Sequence, residues 1–197
     1  RKLGELVGAP ESVRAIRCST DGRLVAIASA GGQISIFDGR TGARTLALQG
    51  GGSEVNAIAM APDLRTLATA CEDGSVRLWD LSSGREFARL GQGMPLLATC
   101  FSPDGSTLVA AGVDGHVHRW EMATRTELPS PGGHDAAVRA LAFSPDGLAL
   151  ASASGDRTVR LWNLSGAGTP RALLGHETEV TDVAFDPSGR TRSEEHT

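Results

Sequence analysis

Residues 142–164 read AFSPDGLALASASGDRTVRLWNL, and this stretch decides the fold. It contains the end of one apolar run, a turn at 144–147 and two further short runs. Proline presets φ at the first position of a tight turn, and glycine accepts the left-handed conformation that ends it, so Ser144–Gly147 is predicted to join two strands. Apolar and polar residues alternate from Val159 to Trp162, which is typical of a strand.

Four stretches of the 197-residue chain align with one another, at 17–39, 59–81, 100–122 and 142–164. The first turn position recurs, with spacings of 42, 41, 42 and 42 residues, at Thr20, Pro62, Pro103, Pro145 and Pro187. A period of about 40–45 residues with four short strands per unit is typical of the blades of a β-propeller. We name the four strands of each unit a to d.

In the last complete unit, strand a is predicted over 138–143, b over 148–154, c over 158–163 and d over 171–174. Residues 53–61, SEVNAIAMA, also fit a helical spacing of apolar residues. We interpret them as strand a of the second unit, because the same slot alternates in the other units and a hairpin turn follows it.

The units resemble WD40 repeats, in which a Gly-His pair precedes strand a and Trp-Asp ends strand c. The matching pairs here are Gly133-His134, Gly175-His176 and Trp79-Asp80, with weaker forms at Trp120-Glu121, Trp162-Asn163 and Phe37-Asp38. The resemblance covers residues 1 to about 191. It implies an all-β propeller segment of four-stranded antiparallel blades, with four complete repeats and a partial repeat at each end. We expect an open arc rather than a closed ring.

The complete repeats are expected at about 11–52, 53–93, 94–135 and 136–177, and the partial ones at 1–10 and 178–191. Residues 192–197, RSEEHT, replace the apolar strand b that the other repeats have after this turn. They also match the translation of a widely used sequencing adapter. We therefore expect a non-native tail, in which Glu194, Glu195 and His196 carry no function.

The resemblance also implies a buried relay that runs from a Trp indole to a hydroxyl, a His and the Asp of the b–c turn. The fourth repeat supplies all four members, which are Trp162, Ser152, His134 and Asp156. The second repeat has Trp79, Thr69 and Asp73, but Gly51 at the His position. The third has Trp120 and Asp114, but Gln92 and Ala110, and the first has none of the four.

Two groups of residues are candidates for catalysis or metal binding. Ser152, His134 and Asp156 combine a hydroxyl, an imidazole and a carboxylate, but an indole is expected to occupy the hydroxyl, and no G-x-S-x-G turn is present. His116 and His118 share a strand face and could hold a metal, yet no third ligand is apparent. The second repeat has Ser75 and Arg77 at the equivalent positions, which we interpret as an ordinary polar face. We predict no catalytic residue, metal or cofactor.

In WD40 proteins, partners commonly dock on the face that carries the d–a and b–c loops, which we call the upper face. The resemblance places on it Ser12, Arg14, Glu54, Asn56, Glu72, Pro95, Leu97, Val113, Ala137, Arg139, Glu179 and Thr181. This mixture of acidic, basic and apolar side chains suits a protein or peptide partner. Leu97 is a candidate anchor, and Arg14 or Arg139 could pair with carboxylates of the partner.

Composition and charge argue against several classes of function. The net charge of −4 argues against nucleic-acid binding, and no apolar run of about 18 residues predicts membrane insertion. Cys18, Cys71 and Cys100 show no metal-ligand spacing and are interpreted as small core residues. Lys2 is the only lysine, and the abundance of Arg, Ala and Gly is typical of a GC-rich, bacterial gene.

We expect a cytoplasmic, non-catalytic scaffold for protein–protein interactions. The chain begins at Arg1 rather than Met, so the sequence does not exclude a signal peptide or a membrane anchor ahead of it. The alternative is a regulatory propeller domain of a larger bacterial signalling enzyme, such as a Ser/Thr kinase or NTPase. A kinase or NTPase motif upstream in the full-length gene would distinguish the two.

Overall fold

The computed structural model describes residues 12–49, 52–165, 169–186 and 191–195, and these residues form strands and turns without a helix. Accordingly, the described residues hold no helix of the length and apolarity that a membrane span requires. In chain order the strands are β1 (Val13–Cys18), β2 (Leu24–Ser29), β3 (Gln33–Asp38), β4 (Arg44–Gln49), β5 (Val55–Met60), β6 (Thr66–Cys71), β7 (Val76–Asp80), β8 (Arg85–Leu90), β9 (Leu96–Phe101), β10 (Thr107–Gly112), β11 (Val117–Glu121), β12 (Thr126–Leu128), β13 (Val138–Phe143), β14 (Ala149–Ser154), β15 (Val159–Asn163), β16 (Arg171–Leu173), β17 (Val180–Phe185) and β18 (Thr191–Glu195).

These strands form four antiparallel sheets of four and one antiparallel pair, and none of the sheets is closed. Blade 1 is β1–β4, blade 2 is β5–β8, blade 3 is β9–β12 and blade 4 is β13–β16, each in chain order, and β17 pairs with β18. The predicted fold of four-stranded antiparallel propeller blades is therefore confirmed. Strand a of blade 4 spans 138–143, as the alternation predicted, and residues 53–61 contain β5 rather than a helix.

The a–b turns hold the geometry that their sequence predicts. In blade 4, Gly147 has φ of +73° and its N–H donates to the carbonyl of Ser144 at 2.9 Å. The Asp146 carboxylate accepts from the Ser144 hydroxyl at 2.5 Å and from the Leu148 N–H at 3.0 Å. Blade 2 places Leu64 at the glycine position, with φ of +58°, so this turn forms there without glycine.

The chain divides into two compact units, Arg1–Gly93 and Met94–Thr197. In the first unit, β5 packs against β1 and β2. In the second, β13 packs against β9 and β10, and β17 packs against β13 and β14. Within each unit, strand a of one blade therefore lies against the a–b hairpin of the blade before it. This stacking covers both faces of a strand such as β15. Val159 and Trp162 are therefore both buried, although their side chains lie on opposite faces of the sheet.

Strand β1 is the exception to this burial. Val13 and Ile16 are half exposed, whereas their counterparts Val55 and Ile58 in β5 are buried. Among the described residues, no sheet packs on the outer side of β1. For the same reason Cys18 is exposed, so its interpretation as a core residue is wrong, while Cys71 is buried as expected.

Strand β18 differs from what the residues predicted. Thr191–Glu195 pairs with β17 in the position of a strand b, with Phe185 opposite Thr191 and Val183 opposite Ser193. Backbone hydrogen bonds between strands need no apolar side chains, so a polar sequence can complete the pair. The non-native origin of residues 192–197 stays a prediction.

Candidate functional site

Blade 4 brings the four relay residues together. The indole Nε1 of Trp162 donates to the Ser152 hydroxyl at 2.8 Å, and that hydroxyl lies 2.6 Å from Nε2 of His134. The other ring nitrogen of His134, Nδ1, lies 2.8 Å from Oδ2 of Asp156. Since a carboxylate only accepts, Nδ1 carries the proton, and Nε2 accepts from the serine. Each donor then has one acceptor along the chain from indole to carboxylate.

Burial and hydrogen bonding fix the charges of this relay. Burial lowers the pKa of His134 and outweighs the opposing hydrogen bond to Asp156, so the ring is neutral near pH 7. For Asp156, burial acts to raise the pKa, but hydrogen bonds from Thr158 and His134 outweigh it and lower the pKa to about 2. The carboxylate is therefore charged, and neutral donors stabilise it.

The residues alone did not single out Thr158. Its hydroxyl donates to Oδ1 of Asp156 at 2.6 Å, and the backbone N–H of Asp135 donates to Oδ2 at 3.2 Å. Thr158 lies two residues after the turn Asp, and Ser75 takes the same position in blade 2, where its hydroxyl lies 2.6 Å from Oδ1 of Asp73. This spacing of Asp and hydroxyl is the signal that a comparison of the repeats could have used.

The contacts of the relay are those of a structural group. Ser152 is completely buried and His134 nearly so, which leaves the hydroxyl out of reach of a substrate. The hydroxyl also accepts the indole hydrogen bond, whereas a serine nucleophile must be free to attack a carbonyl beside an oxyanion site. The geometry thus satisfies buried polar groups and stiffens the blade.

Blade 2 lacks the relay histidine, and its turn Asp pairs with an arginine of its own strand c. Trp79 donates to the Thr69 hydroxyl at 3.2 Å, as the relay predicts. Asp73 instead pairs with Arg77, whose Nη2 lies 2.6 Å from Oδ2 and whose side chain is only 2% exposed. Glu86 lies 3.8 Å from Nη1 of the same guanidinium. The interpretation of Arg77 as part of an ordinary polar face is therefore wrong, because the blade buries it.

In blade 3 the turn Asp pairs with a histidine at the same position of strand c. Nε2 of His118 lies 2.8 Å from Oδ2 of Asp114, and Nδ1 lies 3.4 Å from Glu127. The imidazole stacks on Trp120, with the ring centroids 6.1 Å apart. Among the described residues, no group of three or more His, Cys, Asp or Glu side chains is arranged to hold a metal ion.

Blade 4 has a basic residue at this strand-c position as well. Nη2 of Arg160 lies 3.7 Å from both Asp156 and Asp135, and Nη1 donates to the carbonyl of Gly133. A basic residue four positions after the turn Asp is thus shared by three repeats, and in each repeat it approaches that carboxylate. Sequence reasoning missed this relationship because it considered strand c only as two alternating faces.

The upper-face residues of strand a sit on β-bulges. In each of the five described a–b pairs the register shifts between the first and third residues of strand a. The second residue of strand a therefore has no partner on strand b. The bulged residues are Arg14, Asn56, Leu97, Arg139 and Thr181. A bulge bends the strand and re-aims a side chain, and here it presents one residue per blade at the same end of the strands. The alternation gave no sign of the bulges.

Most of the charged residues predicted on the upper face pair with each other. Arg14 of blade 1 binds Glu54 at the start of blade 2, with Nη2 and Oε2 2.9 Å apart. Arg139 of blade 4 binds Glu179, just before β17, at 2.7 Å. Within blade 2, the amide of Asn56 donates to Glu72 at 2.8 Å. The arginines that we expected to meet carboxylates of a partner thus already have carboxylates within the chain.

Blade 3 has an apolar upper end instead. The backbone N–H of Val113 donates to the carbonyl of Pro95 at 3.0 Å, so the b–c turn sits directly on the start of strand a. Gly112 permits this approach, because a Cβ at that position would lie 1.9 Å from the same carbonyl. Leu97 is half-buried beside them, and Met94, which sequence reasoning did not select, is 59% exposed.

The remaining three upper-face candidates are Ser12, Ala137 and Thr181. Ser12 is exposed, and its carbonyl accepts from the N–H of Ala30 at 3.0 Å. Ala137 and Thr181 are half-buried. None of the twelve predicted residues is buried. A docking surface requires at least this accessibility.

Comparison with known proteins agrees with this architecture. The sequence model of the WD domain, G-beta repeat family (WD40) matches residues 1–38, 42–80, 90–121, 125–163 and 168–192. WD repeat-containing protein 1 of Gallus gallus is 40% identical over 74 residues, which are 36% of this chain and 12% of that protein. The Bos taurus protein of the same name is 41% identical over 75 residues, with the same two shares. The match therefore spans 12% of the length of these curated relatives.

WD40 proteins are generally non-catalytic scaffolds for interactions between proteins, and the buried relay and the exposed, chemically varied upper ends of the blades agree with that role. The matched segments take up most of the sequence, so the chain belongs to the WD40 repeat family.

Proposed function

We propose that this chain is a non-catalytic scaffold that binds a protein or peptide partner through the upper face of its blades. The observation that carries this proposal is the repeated bulge in strand a. One backbone feature presents Arg14, Asn56, Leu97, Arg139 and Thr181 in five equivalent positions. A constant backbone with a different side chain in almost every copy is what a recognition surface needs.

The rest of the blade supports recognition rather than chemistry. Its buried polar groups are occupied by the relay and by the basic residues of strand c, so they hold the loops in place. The b–c turn of blade 4, for example, is fixed by Asp156, which accepts from Thr158, His134 and the N–H of Asp135. A rigid scaffold lowers the entropy lost when its loops bind a partner.

Affinity capture from cells of the source organism tests the proposal with Leu97→Asp and Arg139→Glu. Leu148→Asp is the matched control, because Leu148 is an exposed leucine on the a–b turn at the opposite end of the strands. Partners recovered by the original chain are identified by mass spectrometry, purified and titrated against each variant by calorimetry.

We expect a direct partner whose affinity falls in Leu97→Asp and Arg139→Glu and stays unchanged in Leu148→Asp. Circular dichroism and thermal unfolding verify that the variants remain folded. Equal affinity of every purified partner for all three variants and the original chain would refute the assignment of the upper face.

A further inference from the structure

The upper end of blade 3 differs chemically from the other blades of the chain. At the bulge position it has Leu97, where the other a strands have Arg14, Asn56, Arg139 and Thr181. At the b–c turn it has Val113, where blade 2 has Glu72. Met94 and Val113 are 59% and 38% exposed, although both are large apolar residues.

We call Met94, Pro95, Leu97 and Val113 the blade 3 patch. Its backbone is rigid, because the Val113 N–H donates to the Pro95 carbonyl and Gly112 lies against the same carbonyl. Apolar side chains held on a fixed backbone lose little entropy on binding, and exposed apolar groups of this kind gain from being covered. The patch therefore suits an apolar side chain of a partner.

The backbone around Asp135 contacts the b–c turn that carries Val113. Gly115, two residues after Val113, accepts a hydrogen bond from the N–H of His134 at 2.8 Å. A Cβ on Gly115 would lie 2.6 Å from the carbonyl of His134 and 3.0 Å from that of Ala136. The b–c turn of blade 3 thus touches the backbone on both sides of Asp135.

The Asp135 side chain is 93% exposed, and its nearest cation, Arg160, is 3.7 Å away. The other charges nearby are already engaged. Asp114 binds His118, and Arg139 binds Glu179. Asp135 is therefore the carboxylate beside the patch that offers most of its surface to a partner. The net charge of −4 of the chain adds a general attraction for a basic partner.

We propose that the blade 3 patch binds a linear peptide segment in which an apolar side chain has a lysine or arginine one or two residues away. The apolar side chain packs on Leu97, Val113 and Met94, and the cation reaches Asp135. This inference rests on the proposed function, since it assigns a ligand chemistry to part of the same upper face.

Selection from a phage-displayed library of random linear peptides tests the proposal without a known partner. We expect the purified chain to enrich peptides with an apolar residue next to Lys or Arg. Synthetic peptides from the selection are then titrated by fluorescence anisotropy. Leu97→Asp and Val113→Asp should each weaken binding at least about tenfold, as loss of an interface anchor does.

The decisive variant is Asp135→Lys. Its backbone N–H still donates to Asp156, so the turn is retained. Selection against this variant should return peptides with the same apolar residue but with Asp or Glu in place of Lys or Arg. Leu148→Asp is the matched apolar control, and Glu127→Lys, on the outer strand β12, is the matched charge reversal. Both controls should select the same peptides as the original chain.

If peptides still require Leu97, but the Asp135→Lys variant selects Lys or Arg as the original chain does, the pairing of a peptide cation with Asp135 is overturned. An apolar peptide site would then remain. Enriched peptides that bind Leu97→Asp and Val113→Asp as tightly as the original chain, or no enrichment at all, would overturn the patch itself. Neither result decides the proposed function, because the partner titrations with Arg139→Glu test the upper face independently.

Discussion

Arg139 and Glu179 are 40 residues apart in sequence, yet their Nη2 and Oε2 atoms lie 2.7 Å apart. Arg14 and Glu54 repeat the relationship with the same separation of 40 residues, at 2.9 Å. In both pairs the arginine is the bulged residue of strand a, and the glutamate immediately precedes the next strand a. The pairs thus join neighbouring blades within each unit at their upper ends.

This pairing changes how the upper-face arginines can act. A partner carboxylate has to displace Glu54 or Glu179, or bind beside an ion pair that is already formed. Competition of this kind favours specificity over raw affinity, because only a well-placed carboxylate can replace the internal one.

The Arg139–Glu179 pair should add little to stability. Both side chains are about half exposed, and exposed ion pairs contribute about 0.2–1 kcal/mol. A double-mutant cycle with Arg139→Ala and Glu179→Ala, followed by urea unfolding, should give a coupling energy in that range. Raising the ionic strength should reduce it further. A coupling energy of about 3 kcal/mol would show that the pair is essential to the contact between blades.

Ser152→Ala should destabilise the chain more than Thr69→Val. Loss of the Ser152 hydroxyl leaves two buried groups without a partner, the indole N–H of Trp162 and Nε2 of His134. Loss of the Thr69 hydroxyl affects mainly the indole of Trp79. Since each buried group without a partner costs about 1–3 kcal/mol, we expect a decrease in unfolding free energy of about 2–6 kcal/mol for Ser152→Ala and about half of that for Thr69→Val.

Chemical denaturation monitored by tryptophan fluorescence measures both changes. Ser82→Ala, an exposed serine on the c–d turn of blade 2, is the control for removal of a hydroxyl. If Ser152→Ala proves no more destabilising than Ser82→Ala, the hydrogen bonds of the relay contribute nothing to stability.

Asp73→Asn should cost more stability than Arg77→Met. The Arg77 side chain is 2% exposed and that of Asp73 is 38% exposed, so the arginine is the partner that water cannot reach. Removing the Asp73 charge leaves a buried cation with its second carboxylate, Glu86, at 3.8 Å. Removing the arginine leaves a carboxylate that water can solvate.

We expect about 2–3 kcal/mol for Asp73→Asn and about 1 kcal/mol for Arg77→Met from urea unfolding, with the double variant close to Arg77→Met alone. The opposite order of the two single variants would mean that the carboxylate, not the guanidinium, bears the cost of burial.

The sequence predicted the repeated part of this fold well. Strand a of blade 4 and the turn at Gly147 follow from alternation and turn chemistry, which act over a few residues. The relay positions of Trp162 and His134 followed from the resemblance, since a family motif already encodes a three-dimensional contact. The ion pair of Arg139 and Glu179 needed the structure, because it depends on how one blade lies against the next.

The bulges and the buried Arg77 could not be predicted for a related reason. A bulge at Leu97 removes one residue from the pairing register without changing the composition of the strand. The alternation also tells which residues share a face with Arg77 but not whether that face is covered. Burial of a charge depends on partners such as Asp73 and Glu86, whose positions the fold determines.

Acidification should destabilise the folded chain through His134. Burial lowers the pKa of His134 below its ordinary value of 6.5, so the folded chain keeps this ring neutral at a pH where the unfolded chain takes up a proton. The unfolded state then binds more protons, and the free energy of unfolding decreases as the pH falls from 6.5 toward the lower pKa of the folded state. The pKa of Asp156, at about 2, acts in a separate window, because its contribution is present above the ordinary value of 3.8 and is lost as the pH falls through about 2.

Thermal unfolding between about pH 8 and about pH 5 should therefore show a smaller dependence on pH in His134→Gln than in the original chain. Glutamine is a conservative choice, because blade 3 has Gln92 at the corresponding position. His116→Gln, at an exposed imidazole, controls for the removal of a histidine as such. Parallel pH profiles for His134→Gln and the original chain would mean that His134 takes up its proton equally in both states and that the relay does not hold it neutral.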